Sequence, residues 1–132
     1  MMSVTQTAIY NAMKNNAALT TLIGSGKISY KIAPSNAQFP YVVFYEVNER
    51  YMNTHKKDEL DIWFSVRIMD TSNSVTQAAA ELIKGIFHRK SLTVTGWNVY
   101  RSQFTTQTVF LEQVERVQVY KQTLDFRLTM NN

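Results

Sequence analysis

Few residues in this sequence have the type and spacing that chemistry needs. The nearest approach to a phosphate-binding loop is Ile23-Gly24-Ser25-Gly26-Lys27. A Walker loop cradles phosphate with backbone N–H groups between two glycines, the first standing five residues ahead of the second. Here that position is Thr21, and Lys27 is followed by Ile28 rather than Ser or Thr. The residues before it pattern as helix, so the stretch reads as a helix-ending turn. The two histidines, His55 and His88, fall in a loop and at a helix end, without the spacing of paired metal ligands. Asp58, Glu59 and Asp61 form the one acidic cluster, and the alternating strand that follows makes them its solvated start. There is no Gly-x-Ser-x-Gly elbow. The absence of cysteine excludes disulfides and thiolate chemistry. These residues assign no catalytic group, no cofactor-binding group and no metal ligand.

Composition agrees with a role outside chemistry. The 132 residues fit a single domain spanning 1–132, and 45% hydrophobic with 18% charged residues describes an ordinary globular chain. The net charge of +4 is mild. Lys14, Lys31, Arg67, Lys84, Arg101 and Arg127 fall on different predicted elements. Only His55-Lys56-Lys57 and His88-Arg89-Lys90 are local basic clusters, and both read as solvated surface. Tyr120, Lys121, Phe126 and Arg127 resemble the interleaved aromatic and basic residues of nucleic-acid readers. Strand alternation, however, sends the aromatics to one face and the charges to the other. No apolar run approaches the ~20 residues that span a bilayer. The first fifteen residues lack the basic leader and apolar block of a signal peptide.

The elements follow from periodicity. Ser-Val-Thr-Gln occurs at 3–6 and again at 74–77, and Ser followed three residues later by Gln is a capping box. After Ser74, apolar residues at Val75, Ala78, Ala79, Leu82, Ile83, Ile86 and Phe87 predict a one-sided helix over 74–89. After Ser3, a weaker stripe predicts a first helix, broken at Asn15-Asn16, then a short helical turn with Leu19, Leu22 and Ile23. Strands are expected at 27–33, 40–51 and 58–70. The polar residues 48–59 link the last two as a hairpin with an extended tip. Further strands surround a turn at Gly96 and close the chain, with a bulge or exchange of buried faces near 119–120. The expected fold is α+β: a mostly antiparallel sheet with two main helices packed on one face.

This inventory leaves more apolar surface than one helix layer covers. In Tyr41-Val42-Val43-Phe44-Tyr45-Glu46-Val47 both faces are apolar, and Trp63 and Met69 lie on the nominally polar side of their strand. The second face must meet another element or a neighbouring subunit.

In order and spacing, the N-terminal helix with Ala18-Leu19-Thr20-Thr21-Leu22-Ile23-Gly24, the block Lys31 to Val47, the helix running into Leu82 to Val99 and the closing Val119 to Met130 resemble the tail-completion family of long-tailed phages. These are the tail-to-head joining or tail-terminator proteins. Phe39-Pro40-Tyr41-Val42-Val43 is the most recognisable piece. The resemblance implies a structural, non-enzymatic subunit without cofactor, in the virion at the head-proximal end of the tail, made in the bacterial host cytoplasm. Its partners would be copies of itself in a hexameric ring, the tail tube protein and the head connector or stopper protein. DNA would pass through the ring without sequence-specific binding, and no membrane is involved. The exposed tip, with Arg50, Tyr51, Met52, His55, Lys56 and Lys57, is then expected among the docking elements, and Tyr41, Tyr45 and Trp63 among the subunit contacts. The alternatives are a small-molecule-binding or enzymatic α+β domain, marked by a buried polar constellation such as His88 with a carboxylate, and a nucleic-acid-binding module.

Overall fold

The computed structural model describes residues 3–24, 26–33, 35, 37–53, 58–90 and 92–131, with only the backbone of Met52, Asn53, Asp58 and Val114. Among them are three helices and five strands, in the order α1 (Val4–Lys14), α2 (Ala17–Ile23), β1 (Ile28–Tyr30), β2 (Tyr41–Asn53), β3 (Asp58–Asp70), α3 (Asn73–Phe87), β4 (Asn98–Val114) and β5 (Val117–Asn131).

The first capping box forms as its residues dictate. The Ser3 hydroxyl accepts from the Gln6 N–H at 3.2 Å, and the Gln6 side chain accepts from the Ser3 N–H at 2.8 Å. Asn16 starts α2 by accepting from the Leu19 N–H at 2.9 Å. Gly24, at φ +94, ends it in a conformation that a Cβ would strain. The second box does not form. Helix α3 begins at Asn73 behind Ser72, so Ser74 lies inside its first turn with its hydroxyl 3.0 Å from that of Ser72.

The sheet runs β1-β2-β3-β5-β4. It is mixed, which corrects the expectation of a mostly antiparallel sheet: β1 lies parallel to β2, while the β2–β3, β3–β5 and β5–β4 pairs are antiparallel. The helices are the two main ones, α1 and α3, and the short α2 at the expected helical turn. Strand β4 reaches from Asn98 to Val114 and forms a long hairpin with β5. Bulges fall at Val47, Tyr100 and Thr105, where the register slips by one residue. Near 119–120 the register is unbroken. There the buried phase changes instead, from Val119 to Gln122 and the even-numbered residues beyond.

Even-numbered residues of β2, β3 and β5 supply the strand side of the core: Val42 and Phe44, Leu60 to Ile68, and Leu124 to Met130. Ile9, Met13, Leu19, Ile23, Ala79, Ala80, Ile83 and Phe87 supply the helix side of the same cluster. At its centre, Phe64 stacks on Phe126 with ring centroids 5.2 Å apart, and Phe87 meets Phe64 edge-on at 5.2 Å. We expect Ser3→Ala to lower stability in urea unfolding by about 1 kcal/mol, the usual worth of an N-cap. Ser74→Ala, which removes no cap, should stay within about 0.5 kcal/mol of the parent.

Candidate assembly surfaces

Among the described residues that could have marked chemistry, Lys27, His88 and Asp61 have structural partners. The Lys27 ammonium donates to the carbonyl oxygens of Gln38 at 2.9 Å and Pro40 at 3.4 Å, tying the entry of β1 to the loop that leads into β2. His88 sits just beyond α3, and its Nδ1 accepts from the Phe104 backbone N–H at 3.1 Å. It is therefore joined to a strand edge and not to a carboxylate. Among the described residues, no group of three or more His, Cys, Asp and Glu is placed to hold a metal ion. Among the described residues, no helix is long and apolar enough to cross a membrane.

The odd-numbered face of β3 and β5 carries a polar network. Asp61 is 1% exposed, yet its carboxylate accepts from Arg127 at 2.9 Å and from the Thr129 hydroxyl. Burial, the largest influence, pushes the Asp61 pKa up. The two hydrogen bonds and the charges of Arg127 and Arg101 together outweigh it, so the carboxyl is held below its ordinary range. Arg127 also lies over the Trp63 ring, 4.9 Å from its centroid. Further along β3, Arg67 donates to the hydroxyl of Tyr45 on the adjacent β2 at 3.2 Å and lies over that ring. Ser65 donates to Asp125. A shallow cleft of about 580 Å³ runs between these pairs, lined by Tyr45, Val47, Trp63, Ser65 and Thr123 among others.

The residues expected to make subunit contacts are thus placed apart in character. Tyr45 and Trp63 flank the cleft, half-buried and each covered by an arginine. Tyr41 stacks on Phe39 instead, with ring planes 7° apart. Of the expected docking tip, Arg50, Tyr51 and Met52 belong to paired strand rather than loop, opposite Asp61, Leu60 and Glu59. The Val47 bulge sets their phase, placing Arg50 on the side of Asp61 and Tyr51 on the side of Leu60. His55, Lys56 and Lys57 lie outside the described residues.

One surface has no counterpart in the sequence reading. Toward the β4–β5 turn, Val109, Phe110 and Leu111 are 58%, 59% and 51% exposed, and Val117 is 46% exposed. Strand alternation places Val109 and Leu111 on the face of the core residue Gln122, whose amide donates to the Thr76 hydroxyl of α3. Phe110 and Val117 lie on the other face, beside the Lys121–Glu112 ion pair. The arm is therefore apolar on both sides. The available signal was the run Thr108-Val109-Phe110-Leu111, but Glu115 and Arg116 close the hairpin at φ +47 and +71 without the Asn or Gly that such turns usually show.

The structure thus combines a mixed sheet whose strands share one core with the helices, a polar network on the odd-numbered face, and an exposed apolar arm. Residues 7–131 match the family described as tail completion protein gp17, and the chain belongs to that family. Its role is structural, in completing the phage tail of the virion. Among solved structures, a chain from the virion of a native gene transfer agent particle is similar over 96% of this chain and 93% of that one, at 16% identity and a TM-score of 0.76. A second solved chain is similar over 97% of this chain and 96% of its own length, at 16% identity and a TM-score of 0.57. At such identities both likenesses concern the fold alone. No curated protein matches the sequence.

The Asp61 site has a definite pH signature. A carboxyl held below its ordinary range binds its proton less well in the fold than in the unfolded chain. Its contribution to stability is therefore full above the unfolded value of about 3.9 and is lost as pH falls through the lower folded value. Asp61→Asn should be less stable than the parent at neutral pH, and the gap in urea unfolding should narrow as pH falls below about 3.9.

Proposed function

We propose that this chain is the ring-forming subunit that caps the head-proximal end of the tail tube and docks it to the head connector. The observation that carries the reading is the family match, which spans residues 7–131 rather than one local motif. In this reading the helices form one layer over the even-numbered face of the sheet. The odd-numbered face and the β4–β5 arm are left for other chains. Tyr41, Tyr45 and Trp63 contribute to contacts between subunits, and the tip of the β2–β3 hairpin, Arg50 to Lys57, meets the tube or the connector. Recognition is of protein by protein. DNA passes through the ring without sequence-specific contact, in keeping with basic residues that are scattered rather than gathered into a stripe.

A closed ring imposes a geometric demand: each copy must present two different patches that match each other. The two sheet edges meet that demand in kind, since one is the three-residue β1 beside β2 and the other is the seventeen-residue β4. The reading is tested by multi-angle light scattering of the purified protein, alone and with isolated tail tubes. The expected result is a discrete higher-order species, formed in solution or on the tube end. A chain that stays monomeric and never associates with a tube would sink the reading.

A further inference from the structure

We propose that Arg89, Lys90 and Arg101 form an anion-binding pocket at the outer edge of β4, which takes carboxylates from an acidic segment of a protein other than this chain. The inference rests on the assembly reading above only in taking the partner to be a protein. The pocket, of about 410 Å³, opens between the segment leaving α3 and the start of β4, and Tyr100, Ser102 and Gln103 line it beside the three cations. Among the described residues, no acidic side chain lines it. Arg89, Lys90 and Arg101 are all exposed, and none of them makes an ion pair within the described residues. The carboxylates at this end of the sheet are engaged elsewhere: Glu59 accepts from the Tyr100 hydroxyl at 3.1 Å, and Asp61 accepts from Arg127 and Thr129. Arg101 adds its field to that of Arg127 at Asp61 without pairing with it. The frame of the pocket is fixed by hydrogen bonds. The Arg89 N–H donates to the Ser102 carbonyl at 2.7 Å, and the Ser102 hydroxyl donates to the Phe87 carbonyl. Clamped in this way, Arg89 takes φ +56, a backbone that favours Gly, Asn or Asp, so local conformation does not account for an arginine there. The facing wall carries the Tyr100 bulge, and bulges at sheet edges re-aim side chains.

The chemistry of the cations selects the ligand. A guanidinium presents a fork of N–H donors that a carboxylate or a phosphate meets with paired hydrogen bonds. Layout decides between the two. A nucleic-acid duplex is met by a basic stripe along one face, whereas here three cations converge on one pocket and other basic residues, such as Lys14, Lys31 and Arg67, lie on different elements. A compact cluster suits the carboxylates of a short acidic protein segment. Charge balance assigns that segment to a different protein. This chain has fourteen basic residues against ten acidic ones, so its copies lack the carboxylates to answer their own surplus.

The test follows fluorescein-labelled hexaglutamate, and separately a labelled duplex DNA, by fluorescence anisotropy at low ionic strength, where charge contacts are least screened. Arg89→Gln with Arg101→Gln is compared with Lys14→Gln with Arg116→Gln, which removes the same charge from other exposed positions. Circular dichroism checks that each variant keeps the parent fold. Lys90→Gln, at an exposed position outside the helices and strands, is an independent probe of the pocket if the first double variant does not fold. The expected result is that hexaglutamate binds the parent, weakens about tenfold in the pocket double variant and changes by less than about twofold in the control, as lost charge-assisted hydrogen bonds predict. Lys90→Gln should fall between them. Equal losses in the two double variants would reduce the effect to net charge, and a parent that does not bind hexaglutamate has no carboxylate site. Either result overturns the proposal. So does duplex DNA that binds more tightly than hexaglutamate and is lost with the same pocket residues, since the pocket would then serve nucleic acid. None of these measurements needs assembly, so their failure leaves the ring reading to its own test by light scattering.

Discussion

Phe87 is the contact on which the arrangement of the other elements depends. Its ring meets Phe64 of β3 at 5.2 Å and Phe126 of β5 at 5.3 Å, and Phe126 in turn meets Phe104 of β4 at 5.8 Å. The first three rings are fully buried, and emptying any one would cost about 3–5 kcal/mol. Because Phe87 is the last residue of α3, this wedge also fixes where the helix ends. The backbone that follows is laced to the outer edge of β4: Ser102 donates to the Phe87 carbonyl, the Arg89 N–H donates to the Ser102 carbonyl at 2.7 Å, and His88 accepts from Phe104. The edge is thus covered as far as Phe104. Past the Thr105 bulge those bonds cease, and the strand runs on with Val109, Phe110 and Leu111 exposed. One aromatic cluster therefore decides which half of the edge is sealed and which is left exposed.

The parts that could be read from the sequence are those in which one physical rule acts alone. Strand β3 matches its expected 58–70 because Leu60 to Ile68 alternate without interruption and the buried phase never slips. The start of α1 was legible because Ser3 and Gln6 satisfy each other locally. At Ser74 the same four residues misled, because the chain leaving β3 turns into the helix early enough to place that serine inside it. The parallel partnership of β1 had no clear signal. Parallel strands are normally joined by a crossover of roughly a dozen residues or more, usually helical, whereas residues 31–40 form a short link in which the Lys31 N–H donates to the Phe44 carbonyl at 2.9 Å.

The second half of β4 was illegible for a different reason. Bulges at Tyr100 and Thr105 shift its phase twice, and beyond them neither face is buried, so burial writes no alternation into Thr105 to Val114. Among the candidate contacts, the aromatics Tyr45 and Trp63 stood out as apolar residues on a polar side. Their arginine partners did not, since Arg67 and Arg127 arrive through the registers Val43↔Arg67 and Trp63↔Arg127, which only the paired sheet reveals. The surplus of apolar surface on β2 and β3 was visible in the sequence, whereas the exposed stretch Val109 to Leu111 of β4 was not.

How charge is distributed separates surface made safe from surface kept adhesive. On the odd-numbered face, Asp61 is paired with Arg127, Tyr45 is capped by Arg67 and Ser65 bonds to Asp125, although the Arg127 Nε is buried without a partner among the described residues. Soluble sheet proteins usually blunt an outer strand with lysine, proline or a covering element. From Thr105 to Val114 this strand has no lysine, arginine or proline, and its one charged side chain, Glu112, is turned to Lys121 of its own hairpin. An apolar strand left in this state is a standing risk of open-ended association, because unlike surfaces on one chain can propagate without limit. The risk is contained when rotation brings the last copy back to the first. In the ring proposed above, such closure is what would keep an edge of this kind tolerable.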